Sequence, residues 1–176
     1  TVSSGSHFGA RIDWDDIQLL RRYNGLRAYG QTKLANVLFT AELNRRLGPG
    51  STVRACAADP GLVRTEIGRK GTPGAVGWLW ARRSGGGIAP EQAAQGILTL
   101  LGEPTQGLEN GIYWRHGQPQ RPSRQALDPD DARRLWALSA RMCGLGEDAM
   151  LPTGGDLRPA DRPLITTAAQ ATVADV

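Results

Sequence analysis

The chain has 176 residues, 40% of them hydrophobic and 22% charged, with 23 Gly, 11 Pro and a net charge of +4. That is the balance of one globular domain of ordinary size with many loops, and it excludes a disordered or fibrous polymer. Cys56 and Cys143 lie too far apart for a Cys-x-x-Cys zinc site and form no disulfide framework, and no run reaches the roughly 18 apolar residues of a membrane span.

The positive charge does not predict a nucleic-acid partner. Lys33 and Lys70 are the only lysines, and the arginines stand in scattered pairs such as Arg21-Arg22, Arg45-Arg46 and Arg133-Arg134, with carboxylates between. A nucleic-acid surface gathers its cations on one face and interleaves aromatics. A phosphorylated small molecule suits this charge. The two cysteines read as reduced, buried small residues.

In chain order, Thr1 to Ser4 reads as the end of a buried strand entering a polar turn. The chain opens on Thr, so an upstream part of the strand is expected. Residues 5–25 read as a loop with a short helical turn at 15–22. Within it Asp13, Asp15 and Asp16 read as a helix-start cluster and not as a metal site. Residues 27–47 form the strongest predicted helix, with Leu34, Val37, Leu38, Ala41 and Leu47 at helical spacing and Gly48-Pro49-Gly50 as its stop.

Residues 52–58 read as a buried strand ended by an Asp59-Pro60-Gly61 turn. A Gly-rich connection over 65–87 carries Trp78-Leu79-Trp80. A helix follows at 89–101 with Pro90 in its first turn, then a strand at 111–114. A last helix spans 129–145, with Leu135, Trp136, Leu138 and Met142 on its apolar side. From 151 onward Pro, Gly, Asp, Thr and Ala dominate, which divides the chain into a domain over 1–150 and a flexible tail over 151–176.

This alternation of strand and helix predicts an α/β fold with a parallel sheet under covering helices. The strands are too few for a whole doubly wound domain. The expectation is the carboxyl-terminal part of a doubly wound, Rossmann-type fold lacking its first strands, with an exposed sheet edge beside Ser4.

Chemistry concentrates in Tyr29-Gly30-Gln31-Thr32-Lys33. Positions i and i+4 share a helix face, with Cβ atoms about 6 Å apart. A tyrosine of ordinary pKa, about 10, is rarely ionised at neutral pH, and a nearby ammonium favours its phenolate against the cost of desolvation. Alone, Tyr-x-x-x-Lys also describes an exposed helix pair. Its context is sharper, because Ser3-Ser4 closes one strand and Pro60-Gly61 follows another, and open parallel sheets bind ligands at that edge.

Val2-Ser3-Ser4, Tyr29-x-x-x-Lys33-Leu34-Ala35-Asn36 and Pro60-Gly61-x-x-x-Thr65 together resemble the short-chain dehydrogenases/reductases. Lys33 to Thr40, Glu42-Leu43 and Ala132 to Trp136 narrow the likeness to the retinol dehydrogenase branch. The resemblance covers 2–145 and implies Ser–Tyr–Lys chemistry on a lipophilic alcohol or carbonyl, such as a retinoid or steroid, with NADP before NAD as cofactor.

It implies that Ser4 binds the substrate oxygen, with Ser3 as the alternative serine, and that Tyr29 transfers the proton. Lys33 lowers the Tyr29 pKa and binds the nicotinamide ribose. Pro60 and Gly61 shape the turn under the nicotinamide, and Val63 and Thr65 hold its carboxamide. Asp59 stands where relatives often carry His, a change expected to be tolerated. His7, which matches a His of the branch, reads as a loop hydrogen-bonder before a catalytic base. Trp78 is assigned to the substrate pocket, with core packing and membrane-surface contact as its other readings, and Trp136 is assigned to the core.

The family's glycine-rich phosphate loop, Asn-Ala-Gly strand end and catalytic Asn find no match in these residues, and Gly85-Gly86-Gly87 lacks the required strand–loop–helix spacing. The expectation is that this chain alone is inactive. The competing function is a truncated product or interaction module that retains the motif. By resemblance the compartment is the cytoplasm or the endoplasmic-reticulum membrane, with membrane contact made through an amino-terminal part. Oligomeric state is left open.

Overall fold

Asn24 opens the longest element. Its side chain accepts the Arg27 backbone N–H at 3.0 Å, so helix α1 (Gly25–Leu47) begins two residues before its expected start. Gly48, at φ +75°, ends it as the Gly-Pro-Gly signal predicted. The computed structural model describes residues 1–64, 86–102 and 112–146. Thr65, Trp78, Trp80 and the tail at 151–176 lie outside the described residues.

Helix α1 buries Leu34, Val37 and Leu38 as its spacing predicted, but Gln31, Thr40 and Glu42 are buried beside them. Each of these polar groups has partners. Gln31 accepts the Asp13 N–H and donates to the Ile17 carbonyl, while Thr40 donates to the Asn36 carbonyl. Glu42 takes a two-pronged bond from Arg45 and a third from Arg46. Burial acts to raise the Glu42 pKa, but the two guanidiniums outweigh it and hold the carboxyl below its ordinary value.

Three short strands follow: β1 (Ala57–Asp59), β2 (Tyr113–Arg115) and β3 (Gln118–Pro119). β1 and β2 are parallel, with Ala57 opposite Tyr113 and Asp59 opposite Arg115. Val2 bridges in parallel to Ala58 on the far side of β1, so the first residues are a strand end as expected. The antiparallel β3 was not foreseen. It returns through His116 and Gly117, both at positive φ, which is the geometry of a tight two-residue hairpin.

Helix α2 (Pro90–Gly102) and helix α3 (Pro129–Met142) complete the described elements. Asp128 caps α3 through the N–H groups of Asp130 and Asp131, with Pro129 in the first turn. Successive strand residues point to opposite faces, and the core divides accordingly. Ala57 and Tyr113 pack with Leu34, Val37 and Leu38 of α1 and Ala132 and Leu135 of α3. Ala58 and Trp114 pack with Leu100 of α2 on the other face. The result is a mixed α/β layer structure with helices on both sides of a parallel-containing sheet, part of a Rossmann-type fold.

Several sequence expectations are corrected. The strand expected over 52–58 shortens to Ala57–Asp59, because the Asn44 side chain bonds both the N–H and the carbonyl of Ala55 at 2.8 Å. The helical turn expected at 15–22 is irregular, because the Asp16 carboxylate accepts the N–H groups of Leu20 and Arg21 at 2.8 Å each. Asp13 starts no helix either and pairs with Arg27 at 2.5 Å. Cys143 is exposed and Cys56 half-buried, not both buried. Trp136 is partly exposed, stacked on Phe39 at 5.2 Å under the Arg46 guanidinium. The last helix stops at Met142, not at residue 145. Among the described residues no helix is long and apolar enough to cross a membrane.

Candidate active site

The parallel pairing of Val2 with Ala58 sets Ser4 and Pro60 one step past the same sheet edge. Ser3 and Ser4 are not equivalent there. Ser3 is buried, and its hydroxyl donates to the Lys33 carbonyl at 2.9 Å, so it is spent on joining strand to helix. Ser4 is half-buried and caps a short 3-10 helix (Gly5–Gly9), its oxygen accepting the Ser6 N–H at 3.3 Å. Of the two, Ser4 is the less buried, and its hydroxyl bonds only locally, to Ser6, among the contacts described.

Helix α1 lies hard against this turn at Gly30. A Cβ at that position would stand 3.2 Å from the Ser6 carbonyl oxygen and 3.3 Å from the Ala10 Cβ. Glycine therefore permits the close approach of the helix to the serine turn, one residue after Tyr29. Tyr29 is exposed, which a residue exchanging protons with a ligand requires. The Lys33 ammonium lies 5.3 Å from the centre of the Tyr29 ring and donates to the Val2 carbonyl at 3.2 Å, which Asn36 also bonds at 2.8 Å. The expected pairing of Lys33 with the phenol is thus a contact with its ring, because the Val2 carbonyl draws the ammonium toward the strand.

The second half of the site is the turn after β1. Asp59 is buried, and its carboxylate accepts the Gly61 N–H at 2.8 Å and the Tyr113 hydroxyl at 2.6 Å, with Arg115 at 3.5 Å. Burial first, then the bond to Asp59, pushes the Tyr113 phenol far above the ordinary tyrosine range. Gly61 takes φ +78°, and a Cβ there would fall 2.3 Å from the His116 ring. Pro60 is half-buried between them.

Leu62 and Arg64 bond to Ile88 through their backbone carbonyl and N–H. In an extended strand this pattern turns the N–H and carbonyl of Val63 to the opposite side, an arrangement that fits a carboxamide. Backbone groups at Val63 and the compact Gly61 turn therefore suit the nicotinamide end of a dinucleotide. Among the described residues no glycine-rich strand–loop–helix is present for its pyrophosphate. Thr65 and Trp78, the remaining expected cofactor and substrate contacts, lie outside the described residues.

Sequence reasoning undervalued three residues here. Asp59, read as a tolerated change, anchors the turn, and Asp-Pro-Gly is a signal for such an Asx turn. Tyr113 and His116 were not singled out. The x-Gly pair at His116-Gly117, which marks a two-residue hairpin, was the available clue.

No protein-family profile matches the chain. It is similar to human retinol dehydrogenase 13, at 40% identity over 155 residues, covering 82% of this chain and 45% of that protein. It is similar also to human retinol dehydrogenase 11, at 38% identity with 84% and 45% covered. Mouse polyprenol dehydrogenase matches at 34% identity, with 83% and 44% covered. The chain thus spans about half the length of the curated relatives it matches. Among solved structures, an uncharacterised protein from Mycobacterium paratuberculosis aligns with TM-score 0.50 and 31% identity, over 83% of this chain and 50% of the other.

Proposed function

The chain is a partial, retinol dehydrogenase-like chain of the short-chain dehydrogenase/reductase kind, and from that premise we propose that it carries the proton-handling half of an oxidoreductase interconverting an alcohol and a carbonyl. The substrate class is lipophilic, since relatives are named for retinol and polyprenol. NADP is the cofactor we assign, ahead of NAD, and a net charge of +4 suits its additional phosphate.

The observation that carries this reading is the tight seat of α1 on the serine turn at Gly30, with Ser3 bonded to the Lys33 carbonyl. It supports reading Ser4, Tyr29 and Lys33 as one group, since Tyr29 and Lys33 flank the glycine at which the helix meets the serine turn. In this reading Ser4 donates a hydrogen bond to the substrate oxygen and stabilises charge developing there. Tyr29 gives its phenolic proton to that oxygen in reduction and accepts it back in oxidation. Lys33 keeps a positive charge beside Tyr29 and binds ribose hydroxyls. Pro60, Gly61, Val63 and Thr65 hold the nicotinamide end, and Trp78 contacts the substrate. When bound, a nicotinamide donates or accepts the hydride.

The test is turnover of retinaldehyde with NADPH by a polypeptide that carries this chain behind a dinucleotide-binding half. Activity that Ser4→Ala and Tyr29→Phe each remove supports the assignment. Activity unaffected by both substitutions overturns it. The 176 residues taken alone are assigned no activity, because the described residues offer the cofactor only a nicotinamide site in this reading.

A further inference from the structure

His7 sits three residues past Ser4 and is fully buried. Both ring nitrogens are used. Nδ1 lies 2.8 Å from the Ser4 carbonyl oxygen, and Nε2 accepts the Ser123 backbone N–H at 3.1 Å. A carbonyl only accepts and a backbone N–H only donates, so the proton is on Nδ1 and the ring is neutral. Phe8 and Tyr113 enclose it at ring-centre distances of 4.2 and 4.7 Å.

The span of this one side chain is unusual. It joins the carbonyl of the serine to the segment that leads into α3, across 116 residues of sequence. Ser123 is itself fixed, since its hydroxyl accepts the Ala126 N–H at 3.3 Å. The charged and titratable groups facing His7 are Asp59, with Arg115 beside it, and the Tyr113 phenol bonded to Asp59. Desolvation lowers the His7 pKa against the opposing pull of the Ser4 carbonyl and Asp59.

We propose that His7 is a positioning residue for Ser4: as a neutral imidazole protonated on Nδ1, it pins the serine carbonyl to the Ser123 segment and so fixes where the Ser4 hydroxyl stands at the sheet edge. The role rests on the Ser–Tyr–Lys reading for its catalytic meaning, but the geometry is testable without it. His7 touches no reacting atom and acts only through Ser4. A fixed serine is worth much to turnover, since displacement of a catalytic group by about 1 Å costs up to a hundredfold.

The two bonds are separable. Asn in place of His7 keeps a donor near the position of Nδ1 and loses the acceptor for Ser123. Gln reaches Ser123 with its amide oxygen and loses the donor to Ser4. Long-range proton–nitrogen NMR spectra of the 176-residue chain, with His116→Gln to assign the two histidines, report the tautomer directly. We expect a protonated Nδ1 and a bare Nε2, persisting to lower pH than in a free histidine. The Ser4 carbonyl carbon should shift in His7→Gln and return toward its original position in His7→Asn.

A proton on Nε2, or a Ser4 carbonyl indifferent to both variants, overturns the proposal. In the active polypeptide, His7→Gln should lower kcat about tenfold to a hundredfold with the cofactor KM unchanged, and His7→Asn should recover part of that loss. Full kcat in both variants also overturns it, while loss of activity in Tyr29→Phe leaves the Ser–Tyr–Lys reading standing. If Tyr29→Phe is fully active, that reading fails, and the tautomer and carbonyl shifts still decide the role of His7.

Discussion

The Tyr113 hydroxyl donates to the Asp59 carboxylate across 2.6 Å, and both side chains are buried. This bond ties the middle strand of the sheet to the turn that carries Gly61. Removing it in Tyr113→Phe leaves one carboxylate oxygen, among the described contacts, with Arg115 at 3.5 Å, which should cost about 1–3 kcal/mol. The pH dependence follows from the raised phenol pKa. The folded state keeps a proton that the unfolded chain releases near pH 10, so stability is full below that pH and falls as pH rises beyond it. Urea melts at neutral and alkaline pH should show that fall in the parent chain and a flatter dependence in Tyr113→Phe. Equal alkaline losses in both would remove Tyr113 as the cause.

Gly61 combines a positive φ with contact against His116. Gly61→Ala should therefore destabilise the chain twice over, by about 1–2 kcal/mol for the left-handed backbone and by a clash with the imidazole. His116→Ala should relieve the second part and not the first. Melting temperatures of the two single variants and the double variant separate these contributions. A double variant no more stable than Gly61→Ala would mean that the ring moves aside without cost.

What the sequence made legible was what repeats along it. The apolar stripe of α1 and its Gly48 stop were readable, as were Pro90 and Pro129 at helix starts, because each is a local signal. The short β1 was not readable. Its loss of length comes from Asn44, eleven residues upstream, whose amide takes the backbone of Ala55 out of the ladder. For the site, the resemblance named Ser4, Tyr29, Lys33, Pro60, Gly61, Val63, Thr65 and Trp78; among the described ones, Ser4 and Pro60 follow paired strand residues, and Tyr29 and Lys33 flank Gly30, where the helix meets the serine turn. The bond between Asp59 and Tyr113 and the Ser123 bond to His7 escaped notice because the partners lie 54 and 116 residues apart in sequence.

Tyr29→Phe, in a polypeptide competent for turnover, should lower kcat by about two to four orders of magnitude, since the hydroxyl is the assigned proton donor. The exposed ring and the seat of α1 at Gly30 should be preserved, so the melting temperature should change little. Measuring kcat and the melt together separates chemistry from folding. Retention of most turnover would assign the proton transfer to another group.

Lys33→Ala should act twice. Loss of the ammonium that stands 5.3 Å from the centre of the Tyr29 ring should lower kcat, because its charge is assigned to assist the proton transfer. Cofactor affinity should fall as well, since the same side chain is assigned to the ribose. Lys33→Arg keeps the charge and should retain more of kcat than of the affinity. Unchanged kcat and unchanged affinity in Lys33→Ala would take Lys33 out of the site.

The last prediction concerns these 176 residues by themselves. A dinucleotide gains much of its affinity from a pyrophosphate held at a helix amino terminus behind a glycine-rich turn. Gly61, Val63 and Lys33 are assigned only to the nicotinamide and its ribose. Lys33 is in addition engaged with the Val2 carbonyl at 3.2 Å, a bond that a ribose would have to displace or share. Titration of the chain with NADPH, followed by nicotinamide fluorescence, should therefore show no saturable binding up to millimolar concentrations, and no retinaldehyde reduction. The same titration with the chain joined behind a dinucleotide-binding half should saturate in the range usual for nicotinamide enzymes, micromolar to submillimolar. Micromolar binding by the chain alone would mean that its own residues hold the pyrophosphate, and the nicotinamide-only assignment would then be wrong.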